Sequence, residues 1–104
     1  MASSKEYLGV VLDRLSTLSD VSYRPMMGEF VVYYRGKIVG GIYDDRFLLK
    51  PVESVKRLLS DAPFELPYEG AKKMIRVDDE INGEFLRDIL NAMVDELPTP
   101  KKNR

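Results

Sequence analysis

Apolar positions along the chain follow two different spacings, and the change between them divides it into elements. Leu8, Val11, Leu12, Leu15 and Leu18 recur at helical intervals, which predicts a first helix from Ser3 or Ser4 to about Leu18. Ser3 and Glu6 stand at capping-box spacing at its start. From Val21 the pattern becomes strand-like. Val21 to Met27 reads as a short strand in which Pro25 lacks the N–H that a central strand needs, placing it at an edge or a bulge. Gly28 breaks it. Glu29 to Tyr34, Lys37 to Tyr43 and Arg46 to Lys50 then form an antiparallel meander, with Arg35-Gly36 and Asp44-Asp45 as its turns. Pro51 suits the first turn of a second helix carrying Val52, Val55, Leu58 and Leu59. Phe64 to Lys73 reads as irregular, Met74 to Val77 as a last strand, and Asp78 to Gly83 as a polar turn with capping acids and Asn82. Leu86, Ile89, Leu90, Met93 and Leu97 define a final helix from about Glu84 to Leu97, which Pro98 stops.

These elements predict an α+β fold: an antiparallel sheet of four to five strands with helices packed on it, in the order α-β(3–4)-α-β(1–2)-α. The 104 residues suit one domain spanning residues 1–104, with 98–104 as a flexible basic tail.

Registering the meander with two-residue turns pairs Tyr33 with Ile38, Val31 with Gly40, Ile42 with Phe47 and Gly40 with Leu49. Alternation then puts Val31, Tyr33, Ile38, Ile42, Phe47 and Leu49 on one face. Phe30, Val32, Tyr34, Val39, Tyr43 and Leu48 share the other. Both faces are apolar at their centres, whereas a sheet with helices on one side calls for a polar open face. The second face is therefore expected to meet a partner, unless one of the chain's own helices covers it. Gly40 and Gly41 sit in mid-strand, where a bulge or the close approach of a ring, a helix or a second chain would explain them.

Composition narrows the chemistry. There is no histidine and no cysteine, which removes the usual general base near neutral pH, thiol nucleophiles, thiolate metal sites and disulfides. Sixteen basic residues against seventeen acidic ones give a net charge of −1, so no overall field attracts nucleic acid or an anionic membrane. No secretory signal or membrane-spanning run is seen, and a cytoplasmic protein is expected. Asp44-Asp45 reads as a solvated turn. The segment from Asp78 to Gly83 resembles a calcium loop only in outline, since Ile89 stands where a bidentate Glu is needed. Glu69-Gly70-Ala71-Lys72-Lys73 lacks the features of a phosphate loop. No cofactor or metal is implied. Lys72, Lys73 and Arg76, with Lys101, Lys102 and Arg104, are the candidate basic contacts to an acidic surface or RNA.

Tyr23-Arg24-Pro25-Met26-Met27-Gly28 resembles the N-terminal domain of the TfoX/Sxy family of bacterial competence regulators. Arg24, Met26 and Gly28 match that family's Arg-x-Met-Phe-Gly-Gly motif, with Met27 in place of Phe and Glu29 in place of the second Gly. Gly36 matches its hairpin glycine, Phe47-Leu48-Leu49-Lys50 its strand ending in lysine, and Pro63-Phe64 and Tyr68 its later positions. The likeness runs from about residue 5 to 97. It implies an α+β domain and a link to regulating competence or transcription, although the second, DNA-binding-like domain of longer members has no counterpart up to Arg104. Three functions follow as expectations. The first is a regulatory or adaptor module acting by protein contact, with a homodimer through the open sheet face as one form of that contact. The second is a nucleic-acid-binding accessory protein using the basic residues. The third, an enzyme relying on Lys50, Tyr68 or an acid pair, has the least behind it.

Overall fold

A computed structural model describes residues 3–98. Helix α1 (Lys5–Arg14) is followed by strands β1 (Val21–Met26), β2 (Glu29–Tyr34), β3 (Lys37–Ile42) and β4 (Phe47–Leu49). Helix α2 (Glu53–Leu58), strands β5 (Phe64–Glu65) and β6 (Met74–Arg76), helix α3 (Gly83–Met93) and a 3-10 turn (Val94–Glu96) complete the chain. The six strands form one antiparallel sheet in the order β1-β2-β3-β4-β6-β5. The α+β order read from the sequence is the observed one. The sheet has one strand more than expected, because Phe64–Glu65, read as irregular, pairs with β6.

Three two-residue turns build the meander. Met27-Gly28, Arg35-Gly36 and Asp44-Asp45 all have positive φ at both positions, the left-handed geometry that matches the twist of paired strands. Glycine adopts it freely, whereas Met27, Arg35 and the two aspartates carry a Cβ there. Pro25 does lie on an edge strand.

Helix α1 is shorter than its apolar spacing predicts. Ser4 rather than Ser3 caps it, accepting from the Tyr7 N–H at 3.1 Å. Its regular bonds stop at Arg14, before Ser16 and Thr17, residues that compete with helical backbone for hydrogen bonds. Leu18 keeps helical spacing only through a tight turn, its N–H bonded to the Leu15 carbonyl. In α3 the predicted cap is present, with Asn82 Oδ1 accepting from the Phe85 N–H at 2.8 Å. Helix α2 has no capping side chain of its own. Glu96, from beyond α3, accepts from both the N–H and the hydroxyl of buried Ser54, which holds its carboxyl below the ordinary value.

The core lies between the helices and one face of the sheet. Phe30, Val32, Tyr34, Val39, Ile42, Phe47, Leu49 and Ile75 are buried there against Leu8, Val11 and Leu15 of α1, Val55 of α2 and Leu86, Ile89, Leu90 and Met93 of α3. Polar contacts hold its rim. The Tyr34 hydroxyl donates to Asn91 at 2.5 Å, and the Lys37 ammonium donates to the Val94 carbonyl at 3.0 Å. Partial burial, reinforced by a bond to Asp79, pushes the Tyr7 phenol up to about 12.

The register corrects the expected division into faces. Tyr33 pairs with Ile38, but Val32 then pairs with Gly40 and Val31 with Gly41, so Val39 is an inserted residue on β3. That bulge reverses the alternation of everything after it on β3 relative to β2. Ile42, Phe47 and Leu49 therefore join Phe30 and Val32 under the helices, while Tyr43 and Leu48 belong to the opposite side. Phe30, Val32, Tyr34 and Val39, expected to await a partner, are core residues of the chain itself.

Candidate functional site: the helix-free sheet face

Alternation from the observed register gives the helix-free side two ordered rows. Arg24, Val31, Gly41, Leu48 and Arg76 stand opposite one another across β1, β2, β3, β4 and β6. Ser22, Tyr33 and Ile38 form the next row. Arginines thus end a row whose middle is apolar.

The middle is not open to solvent. Tyr43 lies across Gly41: a Cβ on that glycine would come within 2.6 Å of the ring and 2.7 Å of the Phe30 carbonyl. Gly40 is equally constrained from β4, since a Cβ there would overlap the Leu48 carbonyl oxygen. A bulge and a close-packed ring together explain the glycine pair. The Tyr68 ring packs 6.0 Å from that of Tyr43, tilted by 56°. Val31, Tyr43 and Leu48 are buried, and so is Pro67 next to Tyr68. Burial and the neighbouring Tyr68 and Glu29 raise the Tyr43 phenol above its ordinary value.

An ion-pair network fastens this cover. Arg46 donates to Glu65 at 2.8 Å, to its own turn at the Tyr43 carbonyl and to the Pro67 carbonyl. Arg76 reaches the other oxygen of Glu65 at 3.4 Å. Hydrogen bonds from Arg46 and then Arg76 hold the Glu65 carboxyl below its ordinary value. The network is part-exposed, so it positions the 64–68 segment more than it stabilises the fold.

Of the residues carrying the motif, Arg24, Met26 and Tyr68 are exposed and stand on or beside this face. The Arg24 guanidinium carbon lies 5.9 Å from the centre of the Tyr33 ring, within cation–π range. Gly28 and Gly36 serve the turns, and Lys50, half-buried at the end of β4, bonds through its N–H to the Val39 carbonyl. The expected partner face is dispersed: Tyr43 and Leu48 lie here, beneath the chain's own cover, and the other four are in the core. Lys72 and Lys73 are exposed between β5 and β6, whereas Arg76 is tied to Glu65. Lys101 and Lys102 lie outside the described residues.

Arg46, Glu65 and Pro67 were not singled out from the sequence. A lone arginine before an apolar strand and an acid in a two-residue strand carry no periodic signal. What remains accessible here is a patch for contact: Arg24, Met26, Ile38 and Tyr68 around a buried apolar centre. Among the described residues, no helix is long and apolar enough to cross a membrane.

Residues 13–92 match the TfoX N-terminal domain. A relative from Spirochaeta aurantia, described as an uncharacterized 12.7 kDa protein in the trpE 5′ region, is 30% identical over 105 residues, covering 100% of this chain and 91% of its own. No solved structure matches the chain. The matched segment takes in all six strands, both arginines of the central row, the end of α1 and nearly all of α3, and the chain belongs to the TfoX N-terminal domain family.

Proposed function

We propose that the protein is a small cytoplasmic regulatory or adaptor module that works by protein contact through its helix-free sheet face, in the control of competence or transcription. The observation that supports this most is the exposure of Arg24, Met26 and Tyr68. These motif positions contribute little to the core, yet they border a face that also exposes Ile38. The partner that suits it is a protein presenting an apolar surface, since exposed apolar side chains around a rigid centre favour packing over charge pairing.

The test is genetic and physical. In the source cell, a null strain should show an altered transcript profile that the wild-type gene restores. The double variant Ile38→Glu/Tyr68→Glu, shown by circular dichroism to be folded, should fail to restore it. Full restoration by that variant, or an unchanged profile in the null strain, would overturn the reading. Titrations with labelled DNA and RNA should be flat. Salt-dependent binding that weakens when Lys72 and Lys73 are replaced by Gln would favour the nucleic-acid alternative instead.

A further inference from the structure

Strand β1 forms one edge of the sheet and pairs only with β2. All but its first residue are exposed. The two-residue turn at Met27-Gly28 fixes which backbone groups face β2. Met26, Arg24 and Ser22 occupy the hydrogen-bonded positions, continued by the Arg35 N–H to the Asp20 carbonyl at 3.0 Å. Val21, Tyr23 and Pro25 therefore direct their backbone groups outward. Among the described residues, no backbone partner meets them. Pro25 removes one outward donor, a device that limits indiscriminate pairing and leaves Val21 and Tyr23 as the usable stretch.

We propose that this edge pairs with the same edge of a second copy, antiparallel and centred on Ser22, so that one sheet runs through both molecules. Three features of Asp20-Val21-Ser22-Tyr23-Arg24 select that occupant and register. Val21 opposite Tyr23 of the second copy exchanges both backbone bonds, twice by symmetry, without needing the missing proline donor. Arg24 falls directly opposite Asp20 of the second copy, two opposite-charge pairs on the helix-free side. Tyr23 of the second copy, 43% exposed in the single chain, is brought over a groove of about 460 Å³ on the helix side, lined by Leu12, Leu15, Leu18, Val21 and the first copy's own Tyr23. Shifting the centre by one residue to Tyr23 sets Asp20 against Met26 and leaves the Val21 carbonyl facing proline. The segment is complementary to itself in backbone, charge and shape.

The edge contact is independent of any regulatory role of the helix-free face. Light scattering during gel filtration of the full chain should give twice the chain mass at millimolar protein. Tyr23→Pro removes an N–H that β2 does not use, and should give monomer with unchanged circular dichroism. Arg24→Asp should weaken dimerisation by roughly tenfold or more, and the exchange Asp20→Arg/Arg24→Asp should recover it. Because the chain has no cysteine, Ser22→Cys offers an independent readout. Opposed residues at a non-bonded antiparallel position stand about 4.5 Å apart at Cα, within disulfide reach. Air oxidation should link this variant into covalent dimers, whereas Thr17→Cys should link far less. A wild-type monomer at millimolar concentration would overturn the proposal. So would a dimer indifferent to Tyr23→Pro and the charge exchange, or equal cross-linking of the two cysteine variants.

Discussion

The two faces of this sheet bury similar residues by different means. On the helix side, Val32, Ile42, Phe47, Leu49 and Ile75 are sealed by helices whose own apolar stripes fill the space between them. On the other side, Val31, Tyr43 and Leu48 are also buried, but by a ring folded over Gly41, a second ring beside it and a short segment held by Arg46 and Glu65. The first kind of cover belongs to the cooperative core. The second rests on a few aromatic and charge-assisted contacts at the surface, an arrangement for which local opening below global unfolding is the expectation. A face built this way keeps its apolar centre buried without the help of a helix.

The sharpest break of the comparison is on the helix side. Phe47→Ala should cost about 3–5 kcal/mol in urea unfolding, because the cavity would sit where no segment can collapse into it. For a domain whose total stability is about 5–15 kcal/mol, that is a large share. A loss under 1.5 kcal/mol would mean this face is the looser one.

Gly41→Ala sharpens the contrast by loading the other cover. The new methyl meets both the Tyr43 ring and the Phe30 carbonyl, so the ring and the β2 backbone at Phe30 must both shift. A cost of about 1–3 kcal/mol is expected, with NMR shifts concentrated at Tyr43, Tyr68 and Leu48. Shifts spread equally through α1 and α3 would deny that the two faces are separable.

Tyr68→Ala should be milder, about 0.5–1.5 kcal/mol, since the ring is 59% exposed and contributes mainly its contact with Tyr43. Hydrogen exchange should quicken around Tyr43 and Arg46 while Ile89 and Leu90 keep their protection. Uniform acceleration would show that the aromatic cover is part of the global core.

The smallest effect is electrostatic. The Glu65 carboxyl sits below its ordinary 4.5, so its contribution is present above that pH and is lost as pH falls through the lower folded value. Glu65→Gln should flatten this part of the acid-side stability profile and leave stability at pH 7 lower by less than about 1 kcal/mol, as for other part-exposed pairs. Glu96 contributes with the same sign from the helix side, so the double variant with Glu96→Gln should flatten the profile further. If Glu65→Gln left the acid limb unchanged, the network would have no energetic role in the cover.

Local chemistry carried much of this architecture openly. The apolar stripe of α1, the cap at Asn82, the turn residues at Arg35-Gly36 and Asp44-Asp45, and the proline that confines β1 to an edge each act within a few residues. Each can therefore be read from a short window. The family likeness was legible for the same reason, since Arg24, Met26 and Gly28 cluster around a single hairpin.

What the window could not contain is how distant pieces meet. One inserted residue at Val39 decides which half of the meander faces the helices, and alternation along a single strand is blind to it. Strand β5 has two residues and exists because β6 lies beside it. Helix α2 gains its N-terminal partner from Glu96, more than forty positions away. The sequence by itself determined every element but β5, their order and the wealth of apolar residues on both sides of the sheet. Tertiary structure decided which side became core and which was covered by two tyrosines, because burial is set by contacts between segments that no local spacing encodes.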